Sequence, residues 1–546
     1  MAPRPRVALL RCCRPAQFAA AVARTRHAHP EAELVAVSHV GHRDSLRSAG
    51  VDAVVEIPGT RFGLLRLAPW RWWRLRAERF DHVVIPQMTH LPEAHVNLYW
   101  LAVSLGAAAV TILPGDAPAY VLPRLTLARR LPGLSCRGVL ERFDVPLLIL
   151  LLVVARCVPR RRARTSTGRP RVMHVIPSLG VGGAQRQLAA VIDATPPEEF
   201  DVEVVVFTAG EGDFARTWFS RRDVSVTVLT SWPRLTGMAL EIAGLCRDRH
   251  VDVVHSWLCL ANAVGGGGAR LAGVPRVVSA VRSLSLWKRT WYRQWWYRPV
   301  DAAAARVADV VTVNARAVAA DYSRWTWMSA RRISVVHNGL DPRPLEVDMT
   351  RARRDLVSRL GIDQSAEIVG TVGRLAPEKG HAVFLQIVRD LRRTRPRLHA
   401  VVVGDGQLRD ELQAAALALG LDGVVHFLGE RADVPQLVAG FDLFVLPSVI
   451  EGFPNALLEA VLLGVPACAT RVGGCPDVLD DEATLFTVDD VGDAVRVVGA
   501  ALQDAPASRR RACKARDRAR TLFSAARTTA TWHRIYRDHP SEVSQA

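Results

Sequence analysis

The chain has 546 residues and nine cysteines, and 71 basic against 53 acidic residues give it a formal net charge of +18. That length is more than one hydrophobic core absorbs and predicts several domains. No cysteines stand at C-x-x-C or other metal-ligand spacing, which excludes a disulfide framework and a zinc site and fits a reducing, cytoplasmic setting.

From the N-terminus, Val7 to Leu10, Leu34 to Ser38, Val51 to Ile57, His82 to Ile85 and Ala109 to Leu113 read as strands. Gln17 to Ala28 and Ala94 to Leu105 read as helices. The alternation predicts a parallel α/β domain over residues 1–142, Rossmann-like in rhythm. It carries neither a Gly-rich phosphate loop nor paired carboxylates, so no catalysis is expected of it. The first ten residues run into Arg11-Cys-Cys-Arg14 instead of a long apolar core, the pattern of a strand and not of a signal peptide.

Residues 1–170 hold 25 Arg and 11 acidic residues, a net of +14 out of +18. Nucleic acid would suit such a region. Its aromatics argue against that partner: Phe62 to Arg76 alternates apolar bulk, including Trp70, Trp72 and Trp73, with arginines. That pattern suits an anionic membrane surface. Trp287, Trp291 and Trp295 share one helical face beside Lys288, Arg289 and Arg293 and offer a second such surface. A core-facing aromatic stripe with solvated charges is the other reading of both. Val145 to Ala155 is apolar for 11 residues, short of the ~20 that a bilayer span requires. It predicts a buried helix or a monotopic anchor within the segment 143–170, whose end, Thr165 to Pro170, reads as a linker.

Beyond it, the strand Val172 to Pro177 leads through Gly180-Val-Gly-Gly183 into a helix from Ala184 to Ile192. Gly182 and Gly183 let the backbone approach a ligand closely. Gln185 stands where a dinucleotide fingerprint needs its last glycine, so a plain tight turn reads equally well. His255 ends the strand Val251 to Val254, at the strand edge where open α/β sheets bind ligands; a satisfied structural histidine is the alternative. Asn338 and Gly339 read as a turn or an interdomain hinge.

Further on, Val369 to Leu375 is strand-like and holds Gly373 and Arg374, and Lys379 follows. Only three lysines occur in the chain, so a lysine in this loop points to a need for a compact ammonium. Arg374 and Lys379 offer a planar fork and a point charge to a diphosphate, or else are two solvated loop cations. The strand Phe441 to Ser448 then precedes Glu451-Gly-Phe-Pro-Asn-Ala-Leu-Leu-Glu459. Pro454 suits a first helical turn, which follows Phe453 and leaves the amides of Asn455, Ala456 and Leu457 free for phosphate. Glu451 and Glu459 flank that turn and can accept hydrogen bonds from sugar and ribose hydroxyls. No Asp-x-Asp triplet occurs to carry a metal-bound diphosphate, which favours cationic side chains and a helix end over a metal ion as the diphosphate's partners.

The Glu451 to Glu459 run resembles the E-x7-E signature of the retaining glycosyltransferases of family 4, which have the GT-B fold. Gly370 to Gly380, Val403 to Leu408, Phe427 to Gly429, Thr470 to Asp477, His174 to Gln185, Val254 to Trp257 and His337 to Asp341 extend the likeness, in the family's order, over residues of roughly 171–535. The resemblance implies two facing Rossmann-like domains with parallel sheets, 171–342 for the acceptor and 343–520 for a nucleotide-sugar donor. A C-terminal helix within 521–546 would cross back onto the first. It also implies sugar transfer with retention, without cofactor: Arg374 and Lys379 at the diphosphate, Glu459 at ribose, Glu451 at the sugar and His255 touching the sugar from the opposite domain. With the basic N-terminal region, a lipid-linked or saccharide acceptor in envelope polysaccharide or glycolipid synthesis follows, with the protein held peripherally at the inner face of a membrane. A GT-B epimerase or phosphorylase, or a non-catalytic membrane scaffold of the same fold, would share these features.

Overall fold

The computed structural model describes residues 4–537 apart from 11–14, 40–42, 58–74, 88–95, 106, 115–119, 127–143, 162–168, 181, 209–223, 287, 289–295 and 342–344. Phe62 to Arg74, Trp287, Trp291 and Trp295 therefore lie outside the described residues. Two compact units divide the chain, Met1–Asp144 and Val145–Ala546.

In the first unit, β1 (Arg6–Leu10), β2 (Glu33–His39), β3 (Ala53–Ile57), β4 (His82–Gln87), β5 (Ala109–Pro114) and β6 (Tyr120–Pro123) form one sheet in the order β3-β2-β1-β4-β5-β6. The pairs are parallel except β5 with β6, an antiparallel edge that the sequence reading did not include. Its four residues end on Pro123, which can donate nothing to a ladder and so belongs at an edge.

The second unit holds two parallel sheets. One comprises β7 (Arg171–Ile176), β8 (Asp201–Val206), β9 (Ser225–Val228), β10 (Val253–Trp257), β11 (Arg276–Val281), β12 (Val310–Val313) and β13 (Ile333–Val335), ordered β13-β12-β11-β10-β7-β8-β9. The other comprises β14 (Glu367–Val372), β15 (Leu398–Val403), β16 (Val425–Gly429), β17 (Leu443–Leu446), β18 (Ala467–Thr470) and β19 (Leu485–Phe486), ordered β16-β15-β14-β17-β18-β19. Their strands are near-continuous apolar runs because helices cover both faces. Trp532, Ile535 and Tyr536 of the last helix, Ala525–Arg537, are buried among Val172, Val204 and Trp257, so the chain returns to the first sheet.

One helix of the first sheet, Cys259–Leu271, contains Gly265 to Gly268 in succession. Each glycine costs a helix roughly 1 kcal/mol relative to alanine, and crowding explains three of them. A Cβ on Gly265 would lie 3.2 Å from Val175, one on Gly267 would lie 3.1 Å from Leu151 and Leu152, and one on Gly268 would fall 2.4 Å from the carbonyl of Ala239. Sheet, neighbouring helix and the segment 144–155 all press on this helix.

The apolar stretch 144–155 is itself helical and half-buried. Leu148, Leu152 and Ala155 are fully buried, the first two within the core of the first sheet, while Leu147, Leu150, Val153 and Val154 are each about half exposed. The helix is therefore not wholly buried: one apolar face packs into the core and the other, also apolar, is exposed. Among the described residues no helix is long and apolar enough to cross a membrane.

Candidate active site

In the second sheet β14 leads through Gly373 and Arg374 to a one-turn helix, Pro377–Lys379, and β17 leads into the loop carrying Glu451. These two loops are bound tightly together. The amides of Val449 and Ile450 donate to the carbonyl of Glu378 at 2.9 and 3.3 Å. Gly380 has φ of +67° and brings its Cα so close to Pro447 that a Cβ would stand 2.0 Å from the carbonyl oxygen. The outcome is an ion pair: Lys379 Nζ lies 2.5 Å from Glu451 Oε1, which also accepts from Ser448 Oγ at 2.9 Å. Gly373 packs beside the Lys379 stem, 3.7 Å from Cγ and Cδ by its would-be Cβ. Arg374 stands at the rim, 2.5 Å from Glu378, with its side chain 66% exposed.

The helix Asn455–Leu463 starts one residue later than Pro454 suggested, because Pro454 is extended and caps it. Its first intrahelical bond runs from Leu458 N to Pro454 O at 3.0 Å, which leaves the amides of Asn455, Ala456 and Leu457 without helical partners. No side chain caps this end, so an anion there faces open donors and the positive end of the helix dipole. Phe453 is buried next to it, with its ring 5.6 Å from that of His337 and 5.4 Å from that of Phe523.

The first sheet faces this end. Gly182 caps the helix Gly183–Asp193, and a Cβ on Gly183 would lie 3.4 Å from Asn455 Nδ2. One turn further, Arg186 sits 3.7 Å from Glu459. Burial holds Glu459 above the ordinary carboxylate range, with Arg186 pulling the other way. The fold thus brings Gly182, Gly183, Gly373, Arg374, Lys379, Glu451, Phe453, Pro454, Asn455, Ala456, Leu457 and Glu459 around one cleft. Among the described residues no three His, Cys, Asp or Glu side chains are grouped as metal ligands.

His255 is not brought there. It is fully buried, its Nδ1 lies 2.7 Å from the Tyr536 hydroxyl, and its ring sits 4.4 Å from both Trp257 and Trp532. Burial, with the neighbouring His174 and Arg282, pushes its pKa well below the usual value. His255 is the middle residue of β10 and does not end a strand, and of the two faces that alternate side chains take it points into the one covered by the last helix.

The cleft also holds residues that sequence reasoning passed over. Arg282 follows β11, and its Nη2 donates to Asn338 Oδ1 at 2.7 Å while the guanidinium lies 5.0 Å from the Trp257 ring. Burial pushes its pKa down to about 9. Asn338 in turn donates to Asn455 Oδ1 at 2.6 Å, which joins a cation of the first half to the uncapped helix of the second. The signal was an arginine just past a strand end, but in a chain so rich in arginine it did not stand out.

Comparison with known proteins bears on this arrangement. The model of Glycosyltransferase Family 4 matches residues 181–343, and that of Glycosyl transferases group 1 matches residues 352–520. The Vi polysaccharide biosynthesis protein VipC/TviE of Salmonella typhi is 30% identical over 256 residues, 46% of this chain and 44% of that protein. The UDP-Gal:alpha-D-GlcNAc-diphosphoundecaprenol alpha-1,3-galactosyltransferase of Escherichia coli is 25% identical over 338 residues, 60% of this chain and 86% of that enzyme. This chain thus spans less than half the length of the first relative and most of the second. Among solved structures, Anabaena Alr3699/HepE in complex with UDP superimposes with a TM-score of 0.58 at 22% identity, covering 66% of this chain and 98% of that one. Two facing Rossmann-like halves, each with its own parallel sheet, give this part of the chain the GT-B fold. Residues 181–343 thus match the Glycosyltransferase Family 4 model and residues 352–520 that of Glycosyl transferases group 1, which makes this portion of the chain similar to such glycosyltransferases.

The raised pKa of Glu459 predicts a pH dependence. Protonation removes an acceptor from the carboxylate, so if Glu459 binds ribose hydroxyls, as the sequence reading expects, donor affinity should weaken as pH falls, beginning above the ordinary glutamate pKa of about 4.3. The sign for stability is opposite: a carboxyl whose folded pKa is raised favours the folded state as pH falls. Calorimetric titration of donor at a series of pH values checks this, and Glu459→Gln should flatten the curve. An unchanged curve in that variant removes Glu459 from donor binding.

Proposed function

We propose that the protein transfers a sugar from a nucleotide-diphosphate sugar to a hydroxyl acceptor with retention at the anomeric carbon. The observation that carries this reading is the Lys379–Glu451 pair set beside the uncapped end of the helix Asn455–Leu463. The helix end and Lys379 supply donors to the departing diphosphate, the electrostatic contribution that weighs most in such transfers. Glu451, already in contact with Lys379, holds the sugar hydroxyls against that charge, and Glu459 holds the ribose. Arg374 closes the rim over the diphosphate once it leaves Glu378. His255 shapes the floor beneath Trp257 instead of contacting sugar.

The donor is read as a UDP-sugar and the acceptor as a lipid-linked saccharide of envelope polysaccharide synthesis. The Escherichia coli relative, which names both a UDP donor and an undecaprenol-linked acceptor, supports that choice. Attachment to an anionic membrane surface on its inner side belongs to the same reading. Titration with UDP-, GDP- and ADP-sugars, followed by NMR of the product's anomeric proton, tests it. Donor-dependent transfer with the donor's anomeric configuration retained is the expected result; inversion, or no binding of any nucleotide sugar, overturns it. Activity is expected to persist in excess EDTA, and a loss restored by Mg²⁺ or Mn²⁺ would assign the leaving group to a metal.

A further inference from the structure

At the edge of the β7–β13 sheet opposite the cleft lies a cavity of about 500 Å³. Its walls come from the residues before β12 and β13, the C-terminal ends of the helices Cys259–Leu271 and Tyr297–Val307, and the chain just after the helix 144–155. Six arginines line it, Arg156, Arg160, Arg270, Arg306, Arg331 and Arg332. Asp309 is the one carboxylate in the lining, and it is occupied: Arg160 reaches Oδ1 at 2.6 Å and Arg270 reaches Oδ2 at 2.8 Å. Arg306 is held by the carbonyls of Ala302 and Thr326 at 2.7 and 3.1 Å. Arg156, Arg331 and Arg332 are exposed and have no carboxylate partner among the described residues.

An apolar ridge leads directly into this cavity. Along the helix 144–155 the outward residues Leu147, Leu150, Val153 and Val154 are 48%, 59%, 56% and 52% exposed, and no charge interrupts the run until Arg156. Single exposed apolar residues are ordinary, but a contiguous ridge of them marks an interaction surface. A helix with one face in the protein core, an apolar outer face and arginines at its end has the makeup of an interfacial element. An exposed ridge alone would suit a protein partner; the adjoining guanidinium groups, in excess over carboxylate, single out a surface that is apolar inside and anionic outside.

We propose that this ridge and the arginine cavity form a docking surface for an anionic phospholipid bilayer, with the ridge at the acyl boundary and headgroup phosphates at Arg156, Arg331 and Arg332. The inference deepens the reading of a membrane-held acceptor and rests on it. It places the attachment on the glycosyltransferase portion itself, independently of the arginine-rich residues 1–142.

The test is co-sedimentation of the full chain with phosphatidylglycerol-containing and with pure phosphatidylcholine vesicles. Arg156→Ala/Arg331→Ala/Arg332→Ala should lower partitioning onto anionic vesicles about 10²-fold, as three headgroup-level charges are lost. Leu150→Ser/Val154→Ser should still bind at low salt but be released by high salt, because only apolar insertion escapes screening. All five positions are exposed, so the melting temperature should hold. Binding unchanged in both variants overturns the proposal, as does equal binding of the parent chain to neutral vesicles. Calorimetry with inorganic phosphate separates sources: tight phosphate binding lost in the arginine variant, with vesicle binding intact, makes the cavity a soluble-anion site and overturns the lipid assignment. UDP-sugar titration of the same variants keeps the two readings apart. Vesicle binding lost with donor binding intact supports the surface, whereas a parent chain that binds vesicles but no nucleotide sugar sinks the transferase reading alone.

Discussion

Lys379→Ala is expected to lower turnover at saturating donor by about 10²- to 10³-fold, the scale of losing one preorganised donor to a developing negative charge. The ammonium sits 2.5 Å from Glu451, on a turn fixed by the amides of Val449 and Ile450 and by the close approach of Gly380 to Pro447. It therefore needs no rearrangement of backbone to meet a diphosphate at the Asn455 helix end. Arg in its place is no substitute, since a planar fork cannot fill the position of a point charge between a carboxylate and a phosphate. Removing Lys379 also leaves Glu451 with Ser448 as its remaining partner, and an orphaned buried carboxylate is destabilising in its own right. Lys379→Ala/Glu451→Gln should recover melting temperature, which shows how much of the lost stability comes from the unpaired carboxylate. Arg374→Ala should likewise lower turnover. A Lys379→Ala enzyme turning over within about threefold of the parent would exclude Lys379 from transition-state stabilisation.

Much of this site was legible because its chemistry is local in sequence. Two carboxylates either side of one helix start, and a Gly-Arg turn before a rare lysine, are short-range patterns whose geometry is set by one loop and one helical turn. The strands that were read were legible for a similar reason, as short apolar runs between turns, whereas several others, among them β8, β11, β12 and β15, were not named. What escaped depends on packing across the chain. His255 reads as a strand end in sequence, but its direction is fixed by Tyr536, 281 residues away, which no local pattern encodes. Arg282 and Asn338 gain meaning only where Asn338 meets Asn455 across 117 positions. The run Val145 to Ala155 is uniformly apolar in sequence, and only its contacts with Gly267 and its neighbours show which half is covered.

Gly452→Ala is expected to cut kcat/KM by about 10²-fold while leaving nucleotide binding nearly intact, since a displacement of ~1 Å between reacting groups is enough for such a loss. Gly452 follows Glu451 in the loop, and its carbonyl accepts from Gly474 N at 2.8 Å. On its other side stands the opposite half of the enzyme. A Cβ at this position would lie 2.0 Å from the carbonyl oxygen of Arg282 and 3.1 Å from Asn314 Nδ2. Both obstacles belong to strand ends of the β7–β13 sheet, and the nearer one is backbone, so no rotamer change relieves it. The two halves must separate instead, which stretches the Arg282–Asn338–Asn455 relay and withdraws the acceptor side from Glu451. The helix end at Asn455, Lys379 and Glu459 all stay within one half or on its surface, so the nucleotide should bind much as before. Gly244→Ala is the control, because a Cβ there meets nothing within 4 Å, and in a helix that change should be neutral or slightly stabilising. Steady-state rates against donor calorimetry distinguish the outcomes. Full turnover in Gly452→Ala would show that the halves need not approach as closely as the Arg282 carbonyl and Gly452 do here, and that catalysis does not depend on this contact.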